Sequence, residues 1–166
     1  MAYTPNYPEL GIQPIAVTST TQNHPIGYTV TAYDPTYGSG TFIYLQGVAS
    51  TVVGSLVVYN TLAPSTTLAP NTAHLAEPVA VAMSANVASQ FGWYQTVGCA
   101  VVAKTATKVN PAVPLFLSGT AGSVFATATS GKQILNAISN NAATVASATG
   151  TVTAQIAWPF AQGQVI

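Results

Sequence analysis

The residues of this chain that could carry out acid–base or nucleophilic chemistry are few and widely spaced. The chain has two histidines, three acidic residues and one cysteine. His24 or His74, together with Asp34 and a serine, would supply the side chains of a hydrolytic triad. The sequence has no Gly-x-Ser-x-Gly turn that would expose such a serine. Hydrolysis by a triad is therefore not predicted.

Other reactive groups are equally isolated in the sequence. Glycoside hydrolysis would require two of the acids Glu9, Asp34 and Glu77 to converge, and nothing in their spacing predicts this. Cys99 has no base among its sequence neighbours, so we expect a small buried apolar residue and not a nucleophile. The histidines and acids match no known metal-ligand spacing. We predict no enzyme, no catalytic residue, no metal site and no cofactor.

The charge content is the most unusual property of the chain. Only 4% of its residues are charged, against about 25% in an average protein. Three lysines balance three acids, and there is no arginine. Lys104, Lys108 and Lys132 are too few to neutralise a nucleic-acid backbone. Because a net charge near zero promotes association, the composition favours a structural or interaction protein packed against copies of itself or a large partner.

Length and hydropathy limit the architecture. A chain of 166 residues fits one domain with a core of its own. Residues 1–10 have neither the basic nor the apolar segment of a signal peptide. No apolar run approaches the roughly 18 residues that a membrane helix needs, so no membrane partner is predicted.

Residues 1–25 contain four prolines, which disfavour helices and central strands. The segment is predicted to be an extended N-terminal arm with one short strand at residues 15–18. It carries more apolar side chains than a solvated tail would, so we expect the arm to lie on a neighbouring subunit. The candidate residues for a capsid or subunit interface are the apolar and tyrosine residues of this arm and one exposed-turn tyrosine: Tyr3, Tyr7, Leu10, Ile12, Ile15 and Tyr37.

Residues 26–166 are predicted to form a single β domain. Apolar residues alternate with threonines at residues 28–32 and 151–157, and short β-branched or aromatic runs occur between them. Further strands are predicted at 41–45, 51–53, 55–59, 79–83, 91–97, 99–103, 115–117 and 123–129. Gly98 is expected to kink its strand, and residues 132–139 are ambiguous: their apolar spacing fits a short helix, but the segment is brief. The pattern predicts a compact, all-β, antiparallel sandwich or barrel with little helix.

Several segments resemble small virion proteins of tailed bacteriophages. They are His24-Pro25-Ile26-Gly27, Phe42-Ile43-Tyr44-Leu45-Gln46-Gly47, Gly92-Trp93-Tyr94-Gln95 and Gln155-Ile156-Ala157-Trp158-Pro159-Phe160. The similarity covers about residues 24–160. Members of this group often have basic residues where this chain has Gln46 and Trp158, which argues against docking through charge at those two positions.

The resemblance implies a head decoration or cement protein on the outer surface of the virion, made in the host bacterial cytoplasm. Its implied partners are the major capsid protein and copies of itself, arranged as a trimer by analogy with decoration proteins at capsid symmetry axes. It implies no enzyme and no cofactor. The alternative function is a head-fibre or adhesin module that binds host glycans through surface aromatic residues. A main shell subunit is disfavoured because no long spine helix is visible.

Overall fold

The computed structural model describes residues 3–5, 11–60, 62 and 65–164. These residues contain eleven strands and no helix, and hence no helix that could span a membrane. The predicted all-β fold is confirmed. The strands are β1 Thr4–Pro5, β2 Thr29–Asp34, β3 Gly38–Gln46, β4 Leu56–Tyr59, β5 Thr66–Leu68, β6 Val79–Ala82, β7 Phe91–Lys104, β8 Pro114–Leu117, β9 Val124–Phe125, β10 Gln133–Ser139 and β11 Gly150–Ala161.

All eleven strands belong to one connected sheet. Its main path runs β1-β2-β3-β7-β11-β10-β8-β9, and β4, β5 and β6 branch from β7. Every pairing is antiparallel except the short one between β7 and β9. The long strand β7 pairs with β3, β6, β9 and β11, so it is the central strand of the fold.

The structure corrects three local predictions and resolves one segment that the sequence left ambiguous. Residues 15–18 form a turn followed by a single bridge from Ser19 to Phe91 instead of a strand. Residues 51–53 lead into a turn, and the strand predicted at 123–129 is limited to β9. The ambiguous segment 132–139 is strand β10 and not a helix.

The core consists of three clusters on the two sides of the sheet. The largest lies between β4 and β6 on one side and β7, β10 and β11 on the other. A second cluster surrounds the fully buried Trp93, and the third surrounds Tyr94. Strand β4 is buried on both sides, since Leu56 and Val58 join the first cluster while Val57 and Tyr59 join the third. Its uninterrupted apolar sequence reflects this double burial.

The extended N-terminal arm is not seen among the described residues. Strand β1 pairs with β2, and Tyr3 packs edge-on against Phe42 with ring centroids 4.8 Å apart. The backbone oxygen of Gln13 accepts a 2.8 Å hydrogen bond from Nε1 of Trp93. These contacts hold both described parts of the segment against the chain's own sheet. A domain boundary at residue 26 stays a prediction.

Candidate interaction surface

The two histidines take structural positions. Nε2 of His24 accepts a hydrogen bond from the backbone N–H of Gln13 at 3.1 Å, and its ring lies 5.4 Å from that of Trp93. Nδ1 of His74 lies 3.1 Å from the backbone oxygen of Gly163. Each imidazole therefore connects segments that are distant in sequence, and neither is held beside a serine hydroxyl by any hydrogen bond that we observe.

The acidic and thiol groups have similar local roles. Oδ1 of the buried Asp34 accepts the backbone N–H groups of Thr36 at 2.8 Å and Tyr37 at 3.0 Å, which stabilises the turn between β2 and β3. Cys99 is partly exposed on β7, whereas the sequence predicted a buried residue. Within the described ranges, no three His, Cys, Asp or Glu side chains are placed to hold a metal ion.

The four described residues of the predicted interface do not lie together on an open surface. Tyr3 is 7% exposed and Ile15 is 2% exposed, and both belong to the cluster around Trp93. Burial raises the pKa of Tyr3 to about 12. Ile12 and Tyr37 are half-buried. Tyr7 and Leu10 lie outside the described residues.

Folding removes further charge from an already weakly charged surface. Asp34 and Lys104 are 3% and 2% exposed. Among the described residues, this leaves three charged side chains on the surface: Glu77, Lys108 and Lys132. The surface is thus poorer in ions than the composition alone indicates.

Lys104 is buried, and its contacts within the described part of the chain are with backbone carbonyl groups. Its Nζ donates hydrogen bonds to four backbone carbonyl oxygens, those of Thr105 at 3.3 Å, Thr107 at 3.0 Å, Ala146 at 2.9 Å, and Ala148. Carbonyl dipoles replace the water that this ammonium loses on burial. The side chain therefore ties the loop after β7 to the loop before β11.

The exposed side of β2, β3, β7 and β11 forms a continuous surface. In antiparallel pairs, directly opposite residues share a side of the sheet. One row across the sheet is Thr31, Thr41, Val97 and Ala157. We call this surface the uncharged face; it consists of Thr31, Tyr33, Ser39, Thr41, Val97, Cys99, Val101, Ala103, Thr151, Thr153, Gln155 and Ala157, of which Gln155 and Ala157 also line a groove described below.

The uncharged face contains no ionisable acid, lysine or histidine. Its residues are threonine, serine, valine and alanine, with one glutamine, one tyrosine and one cysteine. Opposite residues such as Val101 and Thr153 alternate with core pairs such as Val102 and Val152. A face of methyl and hydroxyl groups can be covered by another protein without burying an unpaired charge.

Four large apolar side chains are exposed on the neighbouring part of β10 and β11. Leu135, Ile138, Trp158 and Phe160 are 39%, 46%, 52% and 38% exposed. The register shifts between the pairs Leu135–Phe160 and Ala137–Ile156, where Asn136 faces the three residues 157–159. We call this irregularity the β10–β11 bulge.

Two open grooves flank the β10–β11 bulge. The first has a volume of about 280 Å³ and presents the amides of Gln133, Asn136 and Gln155 beside Ile138. The second, of about 330 Å³, is lined by Gln133, Gln162 and the 128–131 loop beside Phe116. Gln133 belongs to both grooves. Sequence reasoning missed them because the bulge that creates them depends on the pairing of two strands.

Neither a scan against protein-family models nor a search of curated proteins finds a match to this chain. The residues and surfaces described above are therefore the basis on which a function can be proposed.

Proposed function

We propose that this chain is a structural virion protein that binds the outer surface of a bacteriophage capsid and stabilises it, as decoration or cement proteins do. The observation that carries the proposal is the near absence of ions from the surface, where two of the five described charged residues are buried by folding. Cores of stable protein interfaces are likewise depleted in charge. The resemblance of residues 24–160 to phage virion proteins supplies the biological setting.

The uncharged face is the surface that we assign to these contacts. It spans four strands and the seven residues from Thr151 to Ala157. With strands about 4.8 Å apart and about 3.3 Å per residue, it measures roughly 20 Å in each direction, or about 400 Å² in projection. A standard interface buries about 800 Å² on each partner. The area of the face is thus about half of the area that stable binding requires. Contacts with neighbouring copies supply the remaining area.

The mechanism is passive and needs no cofactor. Each chain contacts the major capsid protein and other copies of itself. We propose that three copies form a trimer at a symmetry axis of the shell. Contacts that exist only on the assembled lattice stabilise it by mass action, because a ligand that binds one state alone shifts the equilibrium toward that state. Chains that bind weakly one at a time bind strongly once several contacts are made together.

The test compares shells that carry this chain with shells from which it has been omitted. We expect decorated particles to release their genome at a higher temperature, as measured by the fluorescence of a DNA-binding dye during heating. Val101→Lys, which places a charge in the uncharged face, is expected to abolish shell binding. Val87→Lys is the matched control, since Val87 is an exposed valine outside that face.

Equal release temperatures with and without the chain would contradict a cement function. Binding of Val101→Lys at the wild-type level would remove the uncharged face as the contact surface. Circular dichroism and thermal melting check that both variants fold. If a folded variant fails to bind shells, the loss of binding is due to the changed surface.

A further inference from the structure

Trp158 is held in an unfavourable conformation with its side chain in solvent. Its backbone φ is +49°, in the left-handed region that bulky residues rarely adopt. Asn136, opposite it in the β10–β11 bulge, has a φ of +58°, which asparagine tolerates better. The indole is 52% exposed, whereas the other tryptophan, Trp93, is fully buried. Local strain of this kind concentrates at functional sites.

The first groove is lined by Ala157, the residue before Trp158 in β11, and by Asn136 across the bulge, and it offers three side-chain amides. No hydrogen bond joins the side chains of Gln133, Asn136 and Gln155 to other residues in the part of the chain that the structure describes. Each amide presents an acceptor oxygen and two N–H donors. Adjacent hydroxyl groups on a sugar ring match this pattern, because one can donate to the amide oxygen while the other accepts from the amide nitrogen.

The charge around the groove defines the kind of ligand. Anionic ligands are usually bound by arginine or lysine, and neither lines the groove. The adjacent Lys132 points its Nζ to Oδ1 of Asn71, at 2.5 Å. An indole face provides an apolar surface with a polar N–H at its edge, which suits the C–H face of a pyranose ring.

We propose that the groove at the β10–β11 bulge is a binding site for a neutral oligosaccharide. Trp158 stacks against one sugar ring, and Gln155, Asn136 and Gln133 bind its hydroxyl groups. The second groove, which shares Gln133, extends the site beyond one sugar unit. Both volumes lie near the lower end of small-ligand pockets, about 300–1,000 Å³. This activity goes beyond shell stabilisation and would let the particle adhere to glycan-coated surfaces.

Intrinsic fluorescence provides a direct test on the purified full chain. Acrylamide quenches an exposed indole, so Trp158 is the quenchable residue and the buried Trp93 is the internal reference. The probes are maltohexaose, cellohexaose, mannohexaose and chitohexaose, with hexagalacturonate as the anionic comparison. We expect at least one neutral hexasaccharide to reduce the quenching constant at least twofold and hexagalacturonate to leave it unchanged. Protection by none of the neutral probes, or by hexagalacturonate alone, would overturn the proposal.

Two variants separate binding from folding, with affinity measured by titration calorimetry. Gln155→Leu removes an amide at similar size and is expected to weaken binding at least tenfold, while Gln22→Leu, in an exposed loop, has no effect. Trp158→Asn suits the left-handed backbone better, so its melting temperature should stay the same or rise while binding is lost. Wild-type affinity in Gln155→Leu or in Trp158→Asn contradicts the proposal. Shell binding by Val101→Lys and Trp158→Asn, measured in parallel, distinguishes failure of this site from failure of the uncharged face.

Discussion

At the scale of single residues, the side chains that could do chemistry mostly serve the fold. Asp34 stabilises a turn, His24 accepts a backbone N–H, and Lys104 binds carbonyl oxygens. The small number of such residues is a property of the sequence itself, but their partners could not be predicted from it. Each partner is brought in by strand pairing between residues far apart in the chain.

Lys104→Met tests whether the buried ammonium stabilises the protein. Methionine keeps most of the volume but removes the donor from the carbonyl oxygens of Thr107 and Ala148, while those of Thr105 and Ala146 keep backbone N–H donors. Each unsatisfied buried group costs about 1–3 kcal/mol before relaxation. We expect the free energy of unfolding in urea to fall by about 3 kcal/mol. Lys108→Met, at an exposed position, is the control. Equal losses in the two variants would show that the carbonyl contacts contribute nothing net.

Buried tyrosines predict a loss of stability in strongly alkaline solution. Burial raises the pKa of Tyr94 to about 12, and its Oη accepts a 2.9 Å hydrogen bond from Nδ2 of Asn86. The unfolded chain deprotonates this phenol near pH 10, while the folded chain keeps it protonated. Folding stability from Tyr94 is therefore complete below pH 10 and is lost as the pH rises toward 12.

Thermal melting between pH 9 and 12 measures this effect. A shift of two pKa units corresponds to about 3 kcal/mol, so the melting temperature of the wild type should fall steeply above pH 10. Tyr94→Phe should show a shallower fall, and the exposed Tyr33→Phe should follow the wild type. Parallel curves for Tyr94→Phe and the wild type would be inconsistent with a raised phenol pKa.

At the scale of elements, strand prediction succeeded where one side of a strand is buried and the other is open. The alternation at residues 151–157 appears as buried and exposed positions of β11. Segment 132–139 was ambiguous for a physical reason. The bulge at Asn136 places Leu135 and Ile138 on the same exposed side of β10, so their spacing of three imitates a helix.

The interface predicted in the first 25 residues shows a different limit. Apolar residues in a proline-rich segment indicate burial, and Tyr3 and Ile15 are buried. Composition does not reveal whether the cover is a neighbouring subunit or the chain's own sheet. In this structure the chain's own sheet buries these side chains. It does so through non-local contacts, namely the pairing of β1 with β2 and the hydrogen bond from Trp93 to Gln13.

The central strand β7 depends on Gly98. This residue has a φ of +105°, and a Cβ there would lie 2.5 Å from the backbone oxygen of Ser39. Gly98→Ala should therefore lower the free energy of unfolding by more than about 2 kcal/mol and the melting temperature by about 5 °C or more. Gly150→Ala is the control, since a Cβ at that position meets no atom within 4 Å. Equal melting temperatures for the two variants would contradict this requirement for glycine.

At the scale of the whole molecule, the described residues expose few ions, so the association that we propose has to depend on apolar and hydrogen-bonding contacts. Sequence composition predicted this property, and the burial of Asp34 and Lys104 strengthens it. The location of the uncharged face could not be predicted, because it requires the register that aligns Thr31, Thr41, Val97 and Ala157 across four strands.

The salt dependence of association follows from this surface. Contacts between charges weaken as salt rises, because the Debye length shortens from about 10 Å at 0.1 M to about 3 Å at 1 M. The uncharged face has no ions to screen, so the affinity for shells and for other copies should change less than about threefold between 0.05 and 1 M NaCl. Ammonium sulfate should strengthen binding, since sulfate favours burial of apolar surface. Sedimentation of shells with bound chain measures the affinity. A tenfold or larger weakening in NaCl would mean that charged residues, such as the exposed or partly exposed Glu77, Lys108 and Lys132, dominate the contact instead.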